Sequence, residues 1–338
     1  MLDRTTRSFL VAAFSLLAAM TSVACRSTPL VTVFHEPVHF DRRTGDFSAN
    51  VTGTLADEDV EATYTLNGSP PRKLPQGGHR SPIPRFIVEM EGTELREGTN
   101  RLEIHARRGS REQHLAYDFT YAPAPPELPI ELDWENAPIV VEDGHWERFR
   151  TEDGEWRVRS QIGDEGYDRV IVFAGAFPGA RRVETDVIFR YRVETGEFGY
   201  GLLPMWGGRP DEPTFRPKRG WLFSLSWFFD RQRGVGNEFS QRKGAEPYSF
   251  TTAYHDFKIE PGVRYRVITE TWPETDAAGQ FTRYYQRTKW WPGDQAEPAR
   301  WIVLADDQRL PLPERDYGVA FVCYRSQVDI GRVRIVGL

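Results

Sequence analysis

From residue 130 onward the apolar side chains recur at every second position, and no stretch carries them at the i, i+3, i+4 spacing of a helix face. A period of two puts successive side chains on opposite faces of a strand, so this part of the chain can only build sheets. Clear runs are Trp146–Ser160 around an Asp153-Gly154 turn, Arg182–Val193, Gly220–Asp230, Arg264–Trp272, Phe281–Trp291, Gly318–Arg325 and Val328–Val336. A segment of this length with this many runs predicts a jelly-roll sandwich of two curved sheets over residues 131–338. In Gly220–Asp230, one face collects Trp221, Phe223, Leu225, Trp227 and Phe229 and is expected to form the core between the sheets. The other face holds Leu222, Ser224, Ser226, Phe228 and Asp230 and is expected to line a concave surface.

Residues 26–122 read as a second, smaller all-β unit. Short β-rich runs (Val31–Phe34, Phe47–Leu55, Val60–Leu66, Arg85–Met90, Arg101–Ala106 and His114–Tyr121) alternate with turn residues. Asn67-Gly68 is a strong hairpin signal because both residues tolerate positive φ. Between the units, the segment 122–129 carries Pro123, Pro125, Pro126 and Pro129, and residues 123–130 are expected to form an extended connector. The run Val51-Thr52-Gly53-Thr54-Leu55-Ala56-Asp57, with Tyr64-Thr65-Leu66-Asn67-Gly68 and Glu97-Gly98-Thr99-Asn100-Arg101-Leu102, resembles bacterial immunoglobulin-like modules, which usually serve as spacers.

The larger unit also carries a resemblance. Gly262-Val263-Arg264-Tyr265-Arg266, Thr282-Arg283-Tyr284, Trp290-Trp291-Pro292, Glu297-Pro298 and Trp301 follow at short intervals. The segment closes on Val328-Asp329-Ile330-Gly331-Arg332-Val333-Arg334-Ile335. Together with Tyr167-Asp168-Arg169, Gly220-Trp221 and Trp227 upstream, this resembles the concanavalin A-like, laminin-G-like domains of bacterial secreted proteins. The resemblance implies a lectin-like sandwich and a glycan or polysaccharide partner. Domains of this kind can also bind calcium in loops, for which Asp306-Asp307 would be the ligand pair; no other cofactor is implied.

The first 25 residues read as a targeting segment. Arg4 and Arg7 precede the apolar stretch Phe9–Met20, which is too short to span a bilayer, and Ser22-Val23-Ala24 places small residues before Cys25. This resembles a bacterial lipoprotein signal, although Ser22 stands where that motif usually has Leu. Lipidation of Cys25, with membrane anchoring at the cell envelope, is the favoured expectation; ordinary secretory cleavage is the alternative. Either route exports the chain. The only other cysteine, Cys323, lies in the apolar run Val319–Tyr324 and is expected to be a buried core thiol. A net charge of −6, with Arg interspersed among Asp and Glu, argues against a nucleic-acid partner.

Residues 35–39 match the H-E-x-x-H pattern of zinc proteases. Pro37 stands between the two His, where a helix would have to run, and the preceding Val31-Thr32-Val33-Phe34 reads as strand, so a first strand and turn is expected instead. Glu184 and Asp186 share one face of a strand in a manner partly like the acidic strand of jelly-roll glucanases, but the further Glu of those enzymes is missing. With Asp230 and Glu270 they are the carboxylates a hydrolase or lyase would use; a solvated strand face is the simpler reading, so no complete catalytic set is assigned. Ten Trp make aromatic sugar platforms the more attractive chemistry. The expected ligand surface comprises Trp206, Arg219, Trp221, Trp227, Asp230 and Arg325, with Trp206 favoured because Gly207-Gly208-Arg209 suggests a loop. The fold class expected is thus all-β, a small immunoglobulin-like sandwich followed by a larger concanavalin A-like one. The function expected is non-catalytic carbohydrate binding, with a glycan-active hydrolase or lyase and an adhesive or structural envelope protein as alternatives.

Overall fold

The structure, a computed structural model, describes residues 28–37, 48–74, 85–122, 124, 126–137, 139–161, 168–173, 175–192, 198–208, 221–231, 234–244, 249–255, 257–303 and 312–338. The first strands in the chain are β1 (Val31–His35), β2 (Ser48–Leu55), β3 (Glu61–Leu66), β4 (Arg72–Lys73), β5 (Arg85–Glu91), β6 (Gly98–Arg108) and β7 (Arg111–Tyr121). They pair as two antiparallel sheets, ordered β1-β2-β5 and β4-β3-β6-β7. Alternation does the work: Val51 and Leu55 of β2, Phe86, Val88 and Met90 of β5, and Leu102, Ile104 and Ala106 of β6 all point into one core. Asn67 and Gly68 take φ of 54° and 74° in the β3–β4 hairpin turn, as the Asn-Gly pair predicts.

The chain continues through β8 (Ile130–Leu132), β9 (Ile139–Asp143), β10 (Trp146–Arg150), β11 (Trp156–Ser160), β12 (Asp168–Phe173), β13 (Arg181–Arg192), β14 (Phe198–Trp206) and β15 (Trp221–Arg231). It closes with β16 (Gly234–Gly244), β17 (Ser249–Tyr254), β18 (Arg264–Thr275), β19 (Phe281–Pro292), β20 (Ile302–Val303), β21 (Gly318–Tyr324) and β22 (Ser326–Gly337). These form a seven-stranded sheet, β17-β16-β15-β14-β21-β12-β9, and an eight-stranded sheet, β10-β11-β22-β13-β18-β19-β20 with β8 beside β22. The fold is all-β, a small sandwich followed by a larger one. Among the described residues no helix is long and apolar enough to cross a membrane.

The two large sheets face each other across a core that includes Ile171, Tyr200, Phe228 and Phe321 on one side and Val187, Val267, Trp290 and Ile335 on the other. Cys323 is buried here as a free thiol. The chain crosses from one sheet to the other between β21 and β22 at Arg325, whose φ of 49° makes the sharp joint.

The two faces of β15 are reversed relative to the sequence expectation. Ser224, Ser226 and Phe228 point inward, Phe228 packing tilted against Trp290 at 4.7 Å between ring centroids. The Ser224 hydroxyl donates to Gln286 Oε1, and Gln286 Nε2 donates to Ser226 Oγ at 2.8 Å. Thr269 and Thr288 pair at 2.8 Å beside them. Phe223, Leu225, Trp227 and Phe229 point outward, yet they too are buried, in an apolar cluster continuous with the core of the small sandwich. Two physical facts explain the reversal. The hydroxyls satisfy one another and Gln286 across the sheet interface, so burial does not strand them. The outer face is also not a solvent face: β2 lies against β9, Asn50 Nδ2 donates to Glu142 Oε2 at 2.9 Å, and Phe34 stacks on His145 at 4.5 Å. Gln286→Leu is expected to remove the bond Ser224 donates and the one Ser226 accepts from the amide, and to lower the unfolding free energy by about 2 kcal/mol; urea denaturation of the full chain measures it, and a loss below about 0.5 kcal/mol would contradict the network.

Candidate functional site

The outer face of the eight-stranded sheet is polar and ordered in rows. Strand register sets Asp186, Arg266 and Trp291 side by side across β13, β18 and β19, then Glu184, Ile268 and Lys289, then Arg182, Glu270 and Arg287. Beyond them Trp272 of β18 pairs with Tyr285 of β19. One alternation therefore sends Arg264, Arg266, Ile268, Glu270 and Trp272 outward along a track of about 27 Å while Tyr265 and Val267 enter the core.

At one end of the track a groove of about 480 Å³ opens over β22, β13 and β18, with Ile268 and Trp291 in its lining, Arg182, Arg264, Arg266, Arg332 and Arg334 around it, and Glu155, Glu184, Asp186 and Glu297 between them. The volume falls in the range of small-ligand sites. Trp291 is 6% exposed and serves as floor. At the other end the aromatic rings gather. Trp272 and Tyr285 lie 4.0 Å apart between centroids, and the Arg287 guanidinium sits 5.2 Å from the Trp272 ring and 4.3 Å from the Trp301 ring. Lys289 Nζ is 4.5 Å from Trp301, a second cation against the same indole.

Ion pairs fix most of the charges. Arg157, only 1% exposed in its side chain, donates to Asp186 Oδ2 at 2.8 Å and Glu155 Oε2 at 2.7 Å. Burial works against the Arg157 charge, but Asp186 and Glu155 outweigh it and hold its pKa above the ordinary value. The same contact from Arg157, joined by Arg264, keeps Glu155 below the usual carboxylate range despite partial burial. Asp186 also accepts the Arg332 backbone N–H at 2.9 Å. Glycine at 331 makes this arrangement fit, since a Cβ there would stand 2.5 Å from both Asp186 carboxylate oxygens and 2.7 Å from Arg157 Nη1. Glu270 lies between Arg287 at 2.5 Å and Arg182 at 3.6 Å, and Glu184 meets Arg182 at 2.8 Å. Arg266 makes no ion pair among the described residues.

Of the residues singled out from sequence, Glu184, Asp186 and Glu270 do share this face, each as an acceptor for guanidinium groups. The six expected ligand residues are not brought together. Trp206 ends β14 with 0% exposure, part of the buried outer cluster of the seven-stranded sheet, so the Gly207-Gly208 that follows does not lift it into an open loop. Trp227 is buried on that same face over Gly199 and Gly201, whose missing side chains make room for its indole. Asp230 lies on the opposite side of β15 by alternation, half-buried. Arg325 is half-buried at the β21–β22 joint, 5.9 Å from the Tyr324 ring. Arg219, the Trp221 side chain, Cys25 and Asp306-Asp307 lie outside what the structure describes. His35 ends a strand rather than entering a helix, in agreement with the reading of residues 35–39; Val38 and His39 are outside the described residues. Among the described residues no three His, Cys, Asp or Glu converge as a metal-binding group.

Sequence reasoning missed Arg182, Arg264, Arg266, Trp291 and Trp301 as a group. The signal was present in β18, where Arg264, Arg266, Ile268, Glu270 and Trp272 occupy one parity; reading it needed the partner strands, which only the pairing supplies.

No family model and no curated protein matches this sequence. Solved structures similar to the chain include the carbohydrate-binding module CBM66 from Bacillus subtilis, at 13% identity and TM-score 0.35, covering 59% of this chain and 95% of that one. A legume lectin-like domain from Entamoeba histolytica matches at 6% identity and TM-score 0.37, over 57% of this chain and 90% of that one. A Crh5 transglycosylase in complex with NAG matches at 10% identity and TM-score 0.37, over 62% and 83%. With TM-scores this low, nothing known of these proteins transfers to this chain.

Proposed function

We propose that the protein binds carbohydrate without catalysis, along the outer face of the eight-stranded sheet. The carrying observation is the continuity of an Arg-lined groove with a cluster of half-buried indole and phenol rings on one strand register. Sugars present apolar C–H faces and a rim of hydroxyls, and this track offers rings for the first and charged donors and acceptors for the second. Glu184 and Asp186 fit the binding role better than an acid–base role, since each is engaged as an ion-pair acceptor. The proposal extends to the rest of the chain: an exported protein lipidated at Cys25, whose small sandwich is an immunoglobulin-like spacer at the cell envelope.

A glycan array probed with residues 26–338, with and without calcium, tests the binding role. Trp272→Ala is expected to weaken any hit at least tenfold while leaving the melting temperature within a few degrees. A broad array that stays silent would sink the reading, and a hit indifferent to Trp272→Ala would move the site off this face.

A further inference from the structure

We propose that the glycan this face selects is anionic, bearing carboxylate or sulfate groups; the inference rests on the binding role above and adds the ligand's charge. The whole chain has a net charge of −6, which alone would repel such a ligand. The outer face of the eight-stranded sheet departs from that average. Glu131 serves both Arg332, at 2.6 Å, and Arg334, at 3.6 Å. Asp329, fully buried, serves both Arg159, at 2.5 Å, and Arg190, at 2.6 Å, and Glu147 stands beside Arg159 in register. The quartet of Arg157 and Arg264 with Glu155 and Asp186 is balanced, as is Lys289 with Glu297 at 2.8 Å. Among the described residues Arg266 is left over. Cations therefore outnumber carboxylates here.

The position of Arg266 gives this excess a geometry. It is an exposed residue in the middle strand of the groove, between Asp186 and Trp291 in register. Asp186 is already held by Arg157, Arg264 and the Arg332 backbone N–H, so it does not claim the Arg266 guanidinium. A planar guanidinium with its donors unclaimed is matched by a carboxylate or sulfate, which accepts two parallel hydrogen bonds. A neutral sugar hydroxyl satisfies only one donor at a time and leaves the charge uncompensated.

The test titrates residues 26–338 calorimetrically with two matched pairs: polygalacturonate against its methyl ester, and dextran sulfate against dextran. In at least one pair the charged member is expected to bind at least tenfold more tightly. Its affinity should fall as NaCl is raised from low to high concentration, because surface charge pairs are screened. Arg266→Gln should lose about tenfold on the charged member with an unchanged melting temperature. A single-stranded oligonucleotide of matched charge serves as control, and equal affinity for it would overturn the proposal as unselective polyanion binding. Array hits on neutral glycans with no preference in either pair would overturn the charge selection and leave the binding role standing. Silence on the array and in both pairs would overturn the two together.

Discussion

Asp186→Ala is expected to lower the unfolding free energy of the full chain by about 3–5 kcal/mol, the cost of leaving a buried guanidinium without its partner. The Arg157 side chain is 1% exposed, and its other carboxylate, Glu155, stands 46% exposed, where water screens it. Asp186 is thus the only well-shielded counter-charge Arg157 has among the described residues. The variant also removes the acceptor for the Arg332 N–H, loosening β22 against β13. The double variant Asp186→Ala/Arg157→Met should recover most of the loss, because it removes the stranded charge along with its partner. Urea denaturation of the three proteins decides the matter. A single-variant loss below about 1 kcal/mol, or a double variant no better than the single, would show that Arg157 finds solvent on its own.

The second large effect is a loss of stability in acid centred on His35. This residue ends β1 where the small sandwich meets the large one, and its Nε2 accepts the Trp146 backbone N–H at 3.1 Å. Burial, then the neighbouring His145 and Arg148, push its pKa from 6.5 down to about 3. The folded state therefore holds His35 neutral while the unfolded chain takes up a proton below pH 6.5. Between those values the unfolded state binds more protons, so stability rises with pH and is complete above pH 6.5. At about 1.4 kcal/mol per pH unit, the step from pH 7 to pH 4 withdraws on the order of 3 kcal/mol through this one residue. Carboxylates also titrate in acid, so the measurement is a difference: His35→Gln keeps an acceptor for Trp146 but cannot be charged. The wild type's advantage over this variant should shrink by about 3 kcal/mol from pH 7 to pH 4. An advantage constant with pH would place the acid response elsewhere.

The parts of this fold that alternation encodes were open to reading from sequence, and the parts that depend on which strands become neighbours were not. The Asn67-Gly68 hairpin, the strand after Gly154 and the burial of Cys323 follow from local chemistry, and the structure has them. The faces of β15 went the other way because Ser224 and Ser226 find Gln286, sixty residues along the chain, and because a second sandwich excludes water from the apolar side. Trp206 looked like a loop residue from its flanking glycines, but Gly207 lets Leu222 pack close, where a Cβ would meet it at 2.6 Å. The track from Arg264 to Trp272 is likewise a product of register. Arg182, Glu270 and Arg287 form one row only because β13, β18 and β19 lie side by side.

The place of β22 bears on when this molecule can fold. It lies in the interior of its sheet, hydrogen-bonded to β11, β13 and β8, and it supplies Arg332 and Arg334 to the groove. Until Ser326–Gly337 has been synthesised, β13 lacks one neighbour and β11 has no route into the sheet. The pairings of β22 with β8, β11 and β13, and of β21 with β12 and β14, span more than a hundred residues, the kind that form slowly. The ladders β14-β15-β16-β17 and β13-β18-β19-β20 can pair before then, but the two large sheets are complete only once β21 and β22 are present.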